Sequence, residues 1–297
     1  MNILISGAGG LIGTALVKKL KEHGHEVRIL TRKKTEVPGE FYWNIPEKMI
    51  DEKAFENLDS IIHLAGASVS KRWTDDYKKE LYSSRIDSAN LLLETCLRKN
   101  IHLKSFISAS GINYYGTFTS DKILDENSGK IQSDYLADLC QEWEKAADQF
   151  AGTADRVVCL RTSMVLGKEG GAFPLLKNIV DINIGSALGS GQQWMNWIHL
   201  DDMVNMYVFA VENPAVVGKY NALADEVPTN KTFMKNLAQA SHKFFLPVNV
   251  PAFLMKILMG EMSAITLEGT RASNEKIKAQ GFDFKYKNLK EALEDLV

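Results

Sequence analysis

The segment Gly7-Ala8-Gly9-Gly10-Leu11-Ile12-Gly13 constrains this chain more than any other stretch. It lies between an apolar run, Asn2 to Ser6, and a stretch where Leu11, Ile12, Ala15, Leu16 and Leu20 recur at helical spacing. The run reads as a buried strand, and the stretch as a helix stopped by Gly24. Gly7, Gly10 and Gly13 then have separate tasks. The first permits a sharp turn out of the strand, the second lets backbone approach a pyrophosphate, and the third lets helix and strand pack closely. A helix that starts here turns free N–H groups toward negative charge. Gly7, Gly10, Leu11, Ile12 and Gly13 are therefore predicted to bind a dinucleotide.

Further apolar runs follow: "EVRILT", "DSIIHLAGA", "KSFISAS" and "DRVVCLRTS". They alternate with helical patterns over 11–23, 74–98 and 133–150. This alternation predicts an α/β fold, a Rossmann-type doubly wound parallel sheet. After Arg161 the pattern loosens among Gly167, Gly170, Gly171, Gly185, Gly189 and Gly191. "WIHL" reads as a short strand feeding a helix over 201–211, and "KYNAL" as a further strand. From Thr229 onward the chain reads as mostly helical. The predicted organisation is a nucleotide-binding domain over 1–224, with substrate-side loops over 167–197, and a smaller helical C-terminal domain over 225–297.

The second strand ends in Thr31-Arg32-Lys33-Lys34, where an NAD site usually carries an acid for the ribose 2′-OH. None is present. Arg32 can pair a 2′-phosphate, so Thr31 and Arg32 point to NADP(H), unless the basic turn simply lies in solvent. Leu64, Ala65 and Gly66 end the third long run, where small residues let a cofactor approach. His63, inside that run, reads as a core histidine. Arg85 lies on the helix bordering the site and reads either as a clamp for an anionic substrate or cofactor phosphate, or as a surface ion pair.

Formal net charge is −2, which gives no footprint for nucleic acid or an anionic membrane. No apolar run is long enough to span a bilayer, and MNILISGAGG does not read as a signal peptide. Cys96, Cys140 and Cys159 are widely spaced, which suits a reducing cytoplasm, and no His/Cys/Asp/Glu spacing matches a zinc site.

"GAGGLIG", "DSIIHLAGA", "FISASGINYYG" and "WIHLDDM", in this order, resemble the extended short-chain dehydrogenase/reductases. "RWTDDYKKELYSSRIDS", "LRTSMVLGKEGGAF", "GSGQQWMNWIHLDDM" and "GEMSAITLEGTRASNEKIKAQGF" carry a closer resemblance to the epimerase-family proteins once labelled cell-division-inhibitor-like. The resemblance runs almost end to end. It implies a Rossmann fold, NADP(H) binding, descent from nucleotide-sugar epimerases and a small C-terminal domain. It also implies a serine or threonine after a central strand and a Tyr-x-x-x-Lys pair on the next helix. Such a lysine lowers the tyrosine pKa, and the phenol then moves a proton at the substrate oxygen.

The chain departs from that pattern. Tyr135 has Leu139, not lysine, four residues on. A register with Glu142 facing inward instead puts Asp134 and Asp138 at the pair's positions. The serine survives: Ser110 is the expected substrate-facing hydroxyl, with Ser108 as alternate. Tyr114 or Tyr115 is the candidate replacement acid, although both can equally pack. Arg161 sits at the carboxyl edge of the sheet and faces either substrate or an internal carboxylate. Gln193, Trp194, Asn196 and Trp197 come from a loop that the resemblance places beside the substrate, where rings beside an amide suit a ring or sugar-like ligand, although the aromatic rings equally read as core anchors. His199, Asp201 and Asp202 read as helix capping. The expected function is an NADP(H)-dependent oxidoreductase or epimerase acting on a small polar, sugar-nucleotide-like molecule. The alternative class is an NADP(H)-binding regulator with little or no turnover. A monomer and a homodimer paired through helices 74–98 and 133–150 are both compatible with the sequence.

Overall fold

The structure, a computed structural model, describes residues 1–297. The first half of the chain contributes β1 (Asn2–Ser6), α1 (Leu11–Glu22), β2 (Glu26–Thr31), β3 (Glu40–Asn44), β4 (Met49–Ile50) and β5 (Ser60–His63). There follow α2 (Asp75–Ser83), α3 (Ile86–Arg98), β6 (Ser105–Gly111), β7 (Ser120–Leu124) and α4 (Tyr135–Asp148). Next come β8 (Val157–Thr162), β9 (Met164–Leu166), α5 (Phe173–Asp181), β10 (Ser186–Leu188), β11 (Trp197–His199), α6 (Leu200–Glu212) and β12 (Gly218–Ala222). The chain ends with α7 (Asn230–Ala240), β13 (Leu246–Val250), α8 (Ala252–Met259), α9 (Ala264–Leu267), β14 (Thr270–Ala272), α10 (Glu275–Ala279) and α11 (Leu289–Leu296).

One eight-stranded sheet runs β12-β8-β6-β5-β1-β2-β3-β4. Every pair in it is parallel except β3 with β4. Parallel strands need cover on both faces, which explains their near-continuous apolar runs. Side chains alternate between faces. Ile3 and Ile5 of β1 therefore pack with Leu16 and Leu20 of α1 and with Met203, Met206 and Tyr207 of α6. Leu4 points the other way, into a core with Ile61, Phe106, Leu92, Cys96 and Phe150. The strand order reverses between β1 and β5, and in such sheets a crevice opens outside the carboxyl ends at that point.

Two expectations change in detail. The helix expected over 74–98 is broken into α2 and α3 at Ser84–Arg85. The Ser84 hydroxyl accepts from the Ala67 N–H and donates to Leu81 O, tying the bend to the loop after β5. The C-terminal part is helical in the main but contains two short strands. β13 pairs with β10, and β14 with β7, both parallel. Beyond them, Ile277, Phe282 and Phe284 enter the core beneath α6, while Leu289 and Leu293 of α11 pack with α7.

Candidate functional site

A cleft of about 610 Å³ opens at the carboxyl ends of β1, β5 and β6. The glycine loop forms one end. Gly7 has φ +77°, and a Cβ there would stand 2.6 Å from the Leu64 carbonyl. A Cβ on Gly13 would stand 2.4 Å from Gly7 O. The fold itself therefore requires these two glycines. Gly10 differs: a Cβ on it would meet nothing nearer than Gly7 O at 3.5 Å. Gly10 borders the cleft, so its smallness serves the approach of something from outside. No side chain caps α1 at Gly10, and no acid lies in its first turn. This cradle fits the pyrophosphate of a dinucleotide.

Of the residues predicted from sequence, Gly7, Gly10, Leu11, Ile12 and Gly13 line the cleft. So do Leu64, Gly66, Arg85, Ser110, Gln193 and Trp194. Ala65 is buried behind them, its N–H donating to Ser6 Oγ at 3.3 Å. Thr31 and Arg32 close β2 outside the lining, with Arg32 exposed.

Ser110, near the end of β6, donates its hydroxyl proton to Glu144 Oε1 at 2.8 Å. Glu144 is buried on α4 and receives two N–H groups of Arg161, at 2.8 and 3.0 Å. Arg161 also donates to the Tyr115 hydroxyl at 3.0 Å, which donates to Asn221 Oδ1 at 2.8 Å. The Tyr114 ring lies under the guanidinium, 3.5 Å from its carbon. Burial opposes the Arg161 charge, but the bonds and charge of Glu144 more than offset it and raise its pKa.

This network corrects several expectations. Arg161 faces an internal carboxylate rather than substrate. Tyr115 lies behind the cleft wall, where burial pushes its phenol up to about 12. Tyr114 is also outside the lining and serves as the face on which Arg161 rests. Ser108 is fully buried, donating to Ala109 O. Trp197 is fully buried in the C-terminal core and donates to Glu226 O, whereas its neighbour Asn196 faces the cleft. A place at the sheet's carboxyl edge did not determine where these side chains point.

α4 presents Leu136, Leu139, Cys140 and Trp143 to the cleft. Positions four apart on this face are thus Leu136 with Cys140 and Leu139 with Trp143, neither a phenol with an ammonium. The inward register expected for Glu142 is wrong by two residues. Glu142 is half-buried and pairs with Lys145 rather than facing the cleft, and Asp138 pairs with Lys130. Asp134 is the N-cap, accepting from the N–H groups of Leu136 and Ala137. Tyr135 donates to Lys78 O and packs against Trp73. Burial pushes the Cys140 thiol up to about 12, so it stays protonated.

His63 is a core histidine, as read from sequence. Trp143 Nε1–H can only donate, so His63 Nδ1 accepts it at 3.3 Å. The ring proton is then on Nε2 and goes to Ser88 Oγ at 2.7 Å. Burial first, and the Arg85 charge second, lower its pKa to about 3. His199 caps α6, its Nδ1 accepting from the Asp201 N–H. Asp202 accepts from the N–H groups of Lys285 and Tyr286.

Sequence reasoning did not single out Glu144 as the inward acid or Glu268 as a cleft residue. Glu144 lies four and eight residues after Cys140 and Leu136, on the same helix face, and this spacing was the available signal. Glu268 had none, because its segment comes from the far end of the chain.

The model of the NAD dependent epimerase/dehydratase family matches residues 3–223. A domain of unknown function (DUF1731) matches residues 250–296. An epimerase family protein of Staphylococcus aureus (strain NCTC 8325) is 36% identical over 299 residues, covering 99% of this chain and 98% of that protein. One from Staphylococcus haemolyticus is 34% identical with the same coverage. The human epimerase family protein SDR39U1, solved with NADPH, is similar with a TM-score of 0.89 and 28% identity, covering 100% of this chain and 99% of that one. UDP-glucuronic acid 4-epimerase from Bacillus cereus, with UDP-glucuronic acid and NAD, shares the fold at 0.79 and 20% identity, covering 100% of this chain and 98% of that one. With a family model spanning most of its length and relatives matched end to end, the chain belongs to the NAD dependent epimerase/dehydratase family.

Proposed function

We propose that this protein binds NADP(H) and acts as an oxidoreductase or epimerase on a small molecule held beside Ser110. One observation carries the reading: the open glycine cradle and the Ser110 hydroxyl share a single cleft. The exposed Arg32 at the end of β2, with no acid beside it in sequence, supports the phosphorylated cofactor. The NADPH in the human relative supports the same choice.

A nicotinamide bound here supplies hydride exchange. The chain's own groups handle position and protons. Gly10 and the start of α1 hold the pyrophosphate, and Arg32 holds the 2′-phosphate. Ser110 gives its proton to Glu144, which leaves its oxygen lone pairs for a substrate hydroxyl. As that hydroxyl loses its proton to Ser110 Oγ, the serine proton moves to Glu144 Oε1. Leu136, Leu139 and Trp143 keep water out. A second reading, a nucleotide-dependent regulator, is favoured by the apolar face of α4. Lacking a preorganised acid costs roughly two to four powers of ten in rate.

Quenching of tryptophan fluorescence by NADPH and by NADH, in wild type and Arg32→Ala, tests the cofactor. Preferential NADPH binding weakened by Arg32→Ala supports the reading, and failure of both nucleotides to bind refutes it. NADPH consumption across a panel of carbonyl compounds separates enzyme from regulator.

A further inference from the structure

Beyond the glycine cradle the cleft continues past Ser110 to the roof formed by Ile265, Thr266 and Glu268. Charge in this chamber does not suit a nucleotide sugar. Arg85 is the only Lys, Arg or His in the whole lining. It lies against Gly66, in the loop after β5 on the cofactor's side, where a Cβ on that glycine would stand 3.0 Å from the guanidinium carbon. Glu268 is the only acid of the lining. A diphosphate entering the chamber would lose its hydration with no cation to answer it and with a like charge nearby.

The polar side chains of the chamber are committed to one another's backbone. Gln193, 2% exposed, donates to Leu188 O at 3.1 Å and to Thr266 O at 2.7 Å. Asn196 donates to Thr270 O at 2.8 Å and accepts from the Ala272 N–H at 3.2 Å. Asn230 accepts from the Leu188 N–H at 2.8 Å. Gln193 and Asn196 thus staple the roof in place and are not free to read a ring of hydroxyls. Asn113 is the one lining amide without an internal partner. A sugar would leave most of its hydroxyls unpaired here.

The remaining lining is apolar and comes from two cores. Leu136 and Leu139 of α4 share a cluster with Ile265 of the roof. Met164, Leu176 and Met195 pack on the C-terminal core. Flexible methionines accommodate varied apolar shapes.

We propose that the substrate is an uncharged ketone or secondary alcohol on an apolar carbon skeleton, not a nucleotide sugar. This rests on the cofactor reading above and deepens it. Ser110 supplies the contact to the single oxygen, and the apolar lining supplies the rest of the affinity. In the oxidative direction the alcohol C–H bond breaks and its electron pair leaves with the hydrogen as hydride to NADP⁺. The O–H proton passes to Ser110 Oγ as the serine proton passes to Glu144 Oε1, and the C=O bond forms. Reduction is the reverse and consumes NADPH and a proton.

The test titrates full-length protein saturated with NADP⁺, because a ketone and an oxidised cofactor form a complex without turnover. The probes are decalone, glucose and UDP-glucose, followed by calorimetry. Decalone should bind at least about tenfold more tightly than either sugar, because it leaves no polar group unpaired. Ile265→Asn should weaken decalone binding by about tenfold or more while NADP⁺ affinity stays within about threefold, and Ile265→Leu should keep most of the decalone affinity. Glucose or UDP-glucose binding as tightly as decalone overturns the proposal in wild type alone, so a misfolded variant does not shelter it. So does decalone that fails to bind at millimolar concentration, or that binds a folded Ile265→Asn protein as tightly as wild type. If NADP⁺ fails to bind wild type, the cofactor reading falls, and the same three probes on the protein alone decide the proposal.

Discussion

Replacing Glu144 with glutamine should be far more disruptive than a one-atom change suggests. Glu144 and Arg161 are 4% and 2% exposed. The carboxylate answers the buried guanidinium through two bonds and accepts the Ser110 proton through a third. Glutamine keeps the volume and a similar helix propensity, so neither cavity nor helix accounts for a loss. It leaves the Arg161 charge buried without its counter-charge, which typically costs about 3–5 kcal/mol. For a chain of this size that is a fall of about 10 °C in melting temperature. Urea unfolding followed by tryptophan fluorescence reads the difference. A double variant, Glu144→Leu with Arg161→Met, removes both charges and should recover most of the loss, because an apolar replacement of a buried pair is often neutral. Glu144→Gln within about 1 kcal/mol of wild type would refute the reasoning, as would a double variant as unstable as both singles added together.

Three other outcomes follow from the same geometry. Gly10→Ala should fold normally yet lose NADPH binding, whereas Gly13→Ala, with its Cβ 2.4 Å from Gly7 O, should lose both, as thermal unfolding and nucleotide titration would show. Asp134→Ala removes the cap of α4 and should cost about 0.5–2 kcal/mol in urea unfolding. His63 has a folded pKa lowered to about 3 from an ordinary 6.5, so the unfolded chain takes up its proton first. Its contribution is complete above pH 6.5 and is lost as pH falls toward 3, at about 1.4 kcal/mol per unit. Urea midpoints at pH 7 and pH 5 should therefore converge in His63→Gln relative to wild type, and an unchanged pH dependence would count against a neutral buried ring.

What the sequence revealed follows from what carries a local signal. β1, β5 and β6 are apolar runs closed by small or polar residues, and the glycine loop between β1 and α1 has a spacing with a mechanical meaning. The short strands β9, β10 and β14 are three residues each, too short to display a period. The register of α4 shows how small an error matters. Moving the inward position by two residues turns a helix by about 200°, so Glu142 and Glu144 lie on opposite faces. Trp197 and Arg161 were placed near the site by their positions along the chain, but burial against distant partners decided their directions. The roof of the cleft, from Ile265 to Thr270, could not be read locally, because it is brought there by pairing across the whole chain.

That pairing has a consequence for the protein during its own synthesis. β7 finds its strand partner only in β14, which emerges about 150 residues later, roughly ten seconds to half a minute at ribosomal speeds. By then the glycine cradle, β5 and β6 have long left the ribosome. A nascent chain can thus assemble its glycine cradle early, while its roof waits for β14. Any chain stopped short of residue 265 has the cradle without Ile265, Glu268 and Thr270 above it.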